Sequence, residues 1–200
     1  MRLSGRMALV PAIAGALFLA LTPAVQSASM AASLAGRLDD AVLDELNFAR
    51  VRPADYAREL RRELRRSDDP AAVEEAIGFL ERQASLPPLE SDRRVAAAAR
   101  QHTQAQGARG DVGHGAAGGL GQRLRGQGVW AGLSAENISY GYEDPRDVVR
   151  QLIIDSGVPG RGHRRNIFAS GYQLAGVACG PHRAYGFMCV IDFAGALPPR

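Results

Sequence analysis

The order of its segments predicts an α+β protein. Amphipathic helical runs fill the first half of the chain, strands are few and late, and two apolar runs near the end read as a hairpin. Helices grouped ahead of strands exclude an alternating β-α chain, and a small antiparallel sheet flanked by helices is the expected core.

Each element has its own signal. Leu38 to Ala49 reads as a helix, with Asp39 and Asp40 in its first turn and Val42, Leu43, Leu46 and Ala49 on one face. Pro53 interrupts it, and a second helix restarts there with Tyr56, Leu60 and Leu64 at i, i+4, i+8. After a break over Ser67 to Pro70, Ala71 to Ala84 forms a third, with Val73, Ile77, Leu80 and Ala84 on one side. Leu86-Pro87-Pro88-Leu89 is an extended connector. Ser91 opens a fourth helix to about Gln106, with Val95, Ala98, Ala99 and His102 on one face. Gly107 to Gly128 is Gly-rich and reads as loop. Ile138 to Gly141 is a short strand. Asp144 caps a fifth helix, Pro145 takes its first position, and Val148, Val149 and Leu152 form its apolar face. Ala175 to Gly180 and Tyr185 to Phe193 are the two arms of the hairpin, with the turn near Ala184.

The N-terminus reads as a leader. Arg2 and Arg6 form a basic region, Met7 to Leu21 is apolar, and small residues follow Pro23. This is the pattern of a secretory signal peptide over 1–28, with cleavage within 27–32. The apolar run is shorter than the about 20 residues of a spanning helix. A single domain over 37–195 remains, secreted or periplasmic, with no transmembrane segment after cleavage. Of 24 basic residues, all Arg, two lie in the leader, which leaves 22 against 21 acidic ones. That near balance, and the Glu59, Glu63, Asp68 and Asp69 interleaved with Arg61, Arg62, Arg65 and Arg66, argue for a solvated helix face and against nucleic acid as a partner. In an oxidising compartment the only two cysteines, Cys179 and Cys189, are expected to bond, because the hairpin places them opposite each other.

Several segments deliver one acid or one imidazole each. Gly113-His114 lies in the Gly-rich loop, Ala135-Glu136-Asn137-Ile138 precedes the fifth helix, and Gly162-His163-Arg164 with Asn166-Ile167 follows it. His102, on an apolar helix face, reads as a hydrogen-bonded core histidine, and His182, in the hairpin turn, as exposed. Arg161, Arg164 and Arg165 are expected to pair with acids such as Glu143, Asp144 or Asp147 rather than to form a rim that attracts an anionic ligand to the cleft. There is no Gly-x-Ser-x-Gly elbow and no His-Glu-x-x-His, and Gly119-x-Gly121 does not follow a strand.

These blocks, in this order, resemble the CAP superfamily, the SCP-like domain of cysteine-rich secretory, venom allergen and pathogenesis-related proteins, in its bacterial secreted form. Asn47-x-Ala49-Arg50 with Pro53 and the Leu86-Pro87-Pro88-Leu89-x-x-Asp92 block fit the same pattern, as do Gly176 to Gly180 and Cys189 to Phe193. The resemblance implies a three-layer α-β-α sandwich with a small central antiparallel sheet. It also implies a cleft lined by His114, Glu136, His163 and, in place of the usual Glu, Asp155. Leu152 stands where a Trp is common.

Three chemistries are open to such a set. His114 and His163, with Glu136 or Asp155, suit a divalent metal such as zinc, calcium or magnesium. Each carboxylate can instead orient an imidazole for acid-base work, or the four groups can satisfy one another and pin loops. The functional readings are correspondingly three. The first is a secreted binding protein for a metal ion or for a small-molecule, lipid or protein ligand, with no catalysis assigned. The second is a metal-dependent or acid-base hydrolase of peptide or cell-envelope material. The third is a structural or surface-interaction module.

Overall fold

A computed structural model describes residues 23–115 and 118–196, with side chains from Gly36 onward. The leader up to Thr22 lies outside the described residues. Among the described residues, seven α-helices pack on a four-stranded sheet. They are α1 (Pro23–Val51), α2 (Pro53–Glu63), α3 (Pro70–Arg82), α4 (Arg93–Arg109), α5 (Leu120–Gly126), α6 (Pro145–Ile154) and α7 (Gly162–Ile167). The strands are β1 (Glu90–Ser91), β2 (Ser134–Tyr140), β3 (Leu174–His182) and β4 (Gly186–Ala194), in the order β1-β3-β4-β2. No described helix is long and apolar enough to cross a membrane.

Side-chain alternation along the strands separates the layers. Val177, Cys179, Cys189, Ile191 and Phe193 join the main core with α1, α2, α3 and α6. Ala178, Met188 and Val190 face the other way, onto Ala99 of α4. The sheet is therefore covered on both faces, as a three-layer sandwich requires. Tyr56, Leu60, Val73, Ile77, Leu80, Val148, Val149 and Leu152 are all buried, as their helical spacing predicts.

Four local features differ from the expectation. The sheet is mixed, because Glu90 and Ser91 pair in parallel with Leu174 and Ala175. Asn47 holds the connector there by exchanging two hydrogen bonds with Leu89, and Arg50 donates to Pro87 O. Ser91 thus belongs to a strand, and Asp92 caps α4 by accepting from Arg94 N and Val95 N. The third helix stops at Arg82 and Ala84 is exposed, as suits a chain approaching two prolines. The Gly-rich segment is only partly loop. Gly110, left-handed at φ 79°, ends α4, and Leu120–Gly126 forms α5 with Leu124 inside.

The hairpin keeps the predicted register. Cys179 faces Cys189 across β3 and β4, and the two are disulfide-bonded with Cα atoms 4.1 Å apart.

Candidate functional site

Asp155 is built to be buried. It follows the last residue of α6 in the left-handed region, at φ 55°, a conformation that Asp tolerates better than most residues. Its side chain is 0% exposed. One oxygen accepts from His163 Nδ1 at 2.7 Å. The other accepts from the backbone N–H groups of His163 (2.9 Å) and Arg164 (3.3 Å). Asp155 therefore satisfies two orphan donors of the first turn of α7 and orients the imidazole in the same turn. The shorter acid reaches its histidine because α7 begins directly above it.

Glu136 does the same for His114 from the opposite side. It points from β2 towards α5. One of its oxygens accepts from His114 Nδ1 at 2.7 Å, and the other is bound by Arg123 Nη2. Arg123, fully buried on α5, also donates to Gly118 O at 2.6 Å and His114 O at 3.2 Å. Burial works against the Glu136 charge, but the His114 bond and the Arg123 charge outweigh it, and its carboxyl titrates below the usual range. Directly opposite in register lies Asp192. Burial, and then the Glu136 charge, push its carboxyl well above the usual range.

The loop carrying His114 is anchored at Gly113 and Asp111. Gly113 O accepts from His102 Nε2 (3.0 Å) and Gln106 Nε2 (2.6 Å), and Gly113 N donates to Tyr140 Oη (3.0 Å). His102 is the buried, hydrogen-bonded histidine expected. His182 is not exposed, at 2%. Its Nε2 donates to Asp111 O at 2.8 Å, its Nδ1 accepts from Ala184 N and Tyr185 N, and the rings of Tyr140 and Tyr185 pack against it. Arg123, Gln106, Tyr140 and Asp192 escaped the sequence reading. Tyr140 lies in the expected strand Ile138 to Gly141 and Asp192 in the Cys189 to Phe193 block, but neither is singled out there, and Arg123 lies in the segment expected to be loop.

The profile of the Cysteine-rich secretory protein family, CAP, matches residues 43–193. The chain belongs to the CAP family. Among solved structures, this CAP domain is similar to an extracellular SCP-domain protein from Bacillus anthracis strain Ames. The identity is 22% and the TM-score 0.47, over 64% of this chain and 38% of that one. It is also similar to an outer surface protein from Borrelia burgdorferi, at 18% identity and TM-score 0.46, over 55% of this chain and 79% of that one. The CAP chain thus spans well under half the length of the Bacillus protein. No curated protein matches its sequence.

Within the CAP domain the two histidine–carboxylate pairs flank the outermost strand. Glu136 projects from one face of β2. Its neighbour Asn137 projects from the other, where its Nδ2 donates to His163 O at 3.0 Å and its Oδ1 accepts from Asn166 Nδ2 at 2.9 Å. The carboxylates are buried, while the His114 and His163 side chains are 59% and 22% exposed. The four residues form two pairs. Among the described residues no three His, Cys, Asp or Glu side chains gather as one metal-holding group. Arg161 and Arg164 pair with Glu75 of α3 and not with the expected acids. Asp144 is committed to capping α6, and Asp147 pairs with Arg150.

Proposed function

We propose that residues 37–195 form a secreted CAP domain, released from a leader over 1–28, that binds a ligand across the outer edge of β2 through His114 and His163. The observation carrying this reading is that each imidazole has its Nδ1 tied to a buried carboxylate. That bond fixes the ring and the tautomer and leaves Nε2 as the acceptor, which is how a protein prepares a histidine to ligate a metal. Nitrogen donors of this kind suit a borderline ion such as zinc better than calcium or magnesium. The buried carboxylates, turned toward the rings, would support the ligands from behind, while water or a second ligand would complete the coordination. The N-terminal pattern and the Cys179–Cys189 disulfide support an oxidising destination.

Calorimetric titration of the secreted chain with zinc chloride tests this, with His114→Ala and His163→Ala alongside. Binding should weaken about ten-fold or more in each variant. Equal binding in the wild type and both variants removes the shared-imidazole reading.

A further inference from the structure

A groove shares no lining residue with either histidine pair, although Ile154 and Ser156 of its lining flank Asp155. It encloses about 780 Å³ between α2, the turn after it, α3 and α6. That volume falls in the range of about 300–1,000 Å³ typical of small-molecule sites. Its deep side is apolar, from Leu60 and Val73, both buried, and Ile154. Its rim is made of planar polar groups. Tyr142 lies in its wall, 38% exposed and without a ring partner among the described residues.

We propose that this groove is a binding site for a neutral oligosaccharide. Three observations carry the inference. The first is the hydrogen-bonding array. Arg150 binds Glu63 through one nitrogen and Asp147 through the other, and Arg146 adds a contact to Glu63 at 3.3 Å. Each carboxylate oxygen keeps lone-pair capacity beyond these bonds, and the guanidinium keeps further N–H groups. Locked planar acceptors and donors side by side match hydroxyl groups, which donate and accept at once. The second is charge. Glu63 and Asp147 are already paired with arginine, and Asp69 accepts from Ser156 and from Ala72 N, which reduces the attraction for a cation. The lining carries four acids, Glu63, Asp68, Asp69 and Asp147, against Arg66 and Arg150, which disfavours an anion. The third is an unmet need. Gln151 lines the groove, and its buried Oε1 has no hydrogen-bond partner among the described residues, so a turn of this side chain toward the groove would let it accept from a ligand hydroxyl. The apolar floor and the Tyr142 ring offer surfaces for the C–H face of a pyranose, as amphipathic aromatic side chains do at binding sites.

Neither His114 nor His163 lines the groove. The secreted chain, isotope-labelled, is titrated by NMR with cellotetraose and with chitotetraose. A sulfated heparin tetrasaccharide serves as the anionic comparison. Saturable amide shifts are expected for at least one neutral sugar at Tyr142 and Gln151. Tyr142→Ala and Asp147→Asn should each weaken binding about ten-fold, a loss of about 1.4 kcal/mol. Both substitutions are at the rim, and unchanged melting temperatures would confirm that they fold. His114→Ala and His163→Ala should bind the sugar as the wild type does. Absence of saturable shifts with either neutral sugar at millimolar concentration overturns the proposal. So do shifts confined to other surfaces, undiminished binding in both rim variants, or a preference for the sulfated sugar.

Discussion

Asp155 does two tasks with one carboxylate, and its shortness is part of how. Left-handed at the end of α6, it has no room around it and needs no reach, since α7 presents both N–H donors and the imidazole within 3.3 Å. Asp155→Ala would leave those buried donors without an acceptor. Loss of a helix-capping carboxylate and unpairing of buried donors each cost about 1–2 kcal/mol. Asp155→Ala should therefore lower unfolding stability by about 2–3 kcal/mol in urea and release the fixed tautomer of His163, visible in its ring-nitrogen NMR shifts. A variant with wild-type stability and an unchanged ring spectrum would show that the contact carries neither role. At this scale the sequence is readable where residue type and spacing coincide. Glu136 and His163 stand in recognisable blocks, whereas Asp155 departs from the pattern's usual Glu and is placed only by counting along its helix. Arg123 was hidden because glycines around it read as loop. His182 was misread because turn residues are usually solvated, whereas Tyr140 and Tyr185 cover this one.

Between elements, the closest approach in the sandwich is α4 on β3. A Cβ on Gly176 would lie 2.0 Å from Ala96 N, inside the backbone of the helix. No flexible side chain can give way there, so either α4 or the strand must move. Gly176→Ala should cost at least about 2–3 kcal/mol, the upper part of the range for overpacking. Loss of the α4 layer would also disturb the His114 loop, which hangs from His102 and Gln106 on that helix. Thermal unfolding and the His114 ring signals measure both effects together, and a melting temperature within a degree or so of wild type would contradict the packing argument. Helices with a full apolar stripe were legible, because 3.6-residue periodicity survives any tertiary context. β1 was not. Two residues carry no period, and Glu90 and Ser91 pair with β3 only because Asn47 and Arg50 hold the connector alongside it.

Over the whole molecule, buried acids set how stability follows pH. Asp39 ties α1 to the other two layers: it accepts from Cys179 N of β3 at 2.8 Å and binds Arg100 of α4 at 3.2 Å. Burial pushes its carboxyl up to about 6, against an ordinary value of 3.8, despite those partners. Burial raises Asp192 further in the same direction, while hydrogen bonds to arginine hold Glu75 and Asp92 low. The signs differ accordingly. For Asp39 the native state keeps a proton that the unfolded chain has released above about pH 4, so its contribution falls as pH rises from about 4 through about 6. The low-titrating acids stabilise above their unfolded values and lose that contribution as pH drops through their native ones. Asn imitates the neutral acid and keeps an acceptor for Cys179 N. Asp39→Asn should therefore differ from the wild type by an amount that shifts in favour of the variant as pH climbs from about 4 to about 7, because all other titrations cancel in the comparison. Urea unfolding of both proteins across that interval measures the difference directly. A difference that stays constant with pH would mean that Asp39 is already ionised in the folded chain, and that the bonds to Cys179 and Arg100 outweigh its burial.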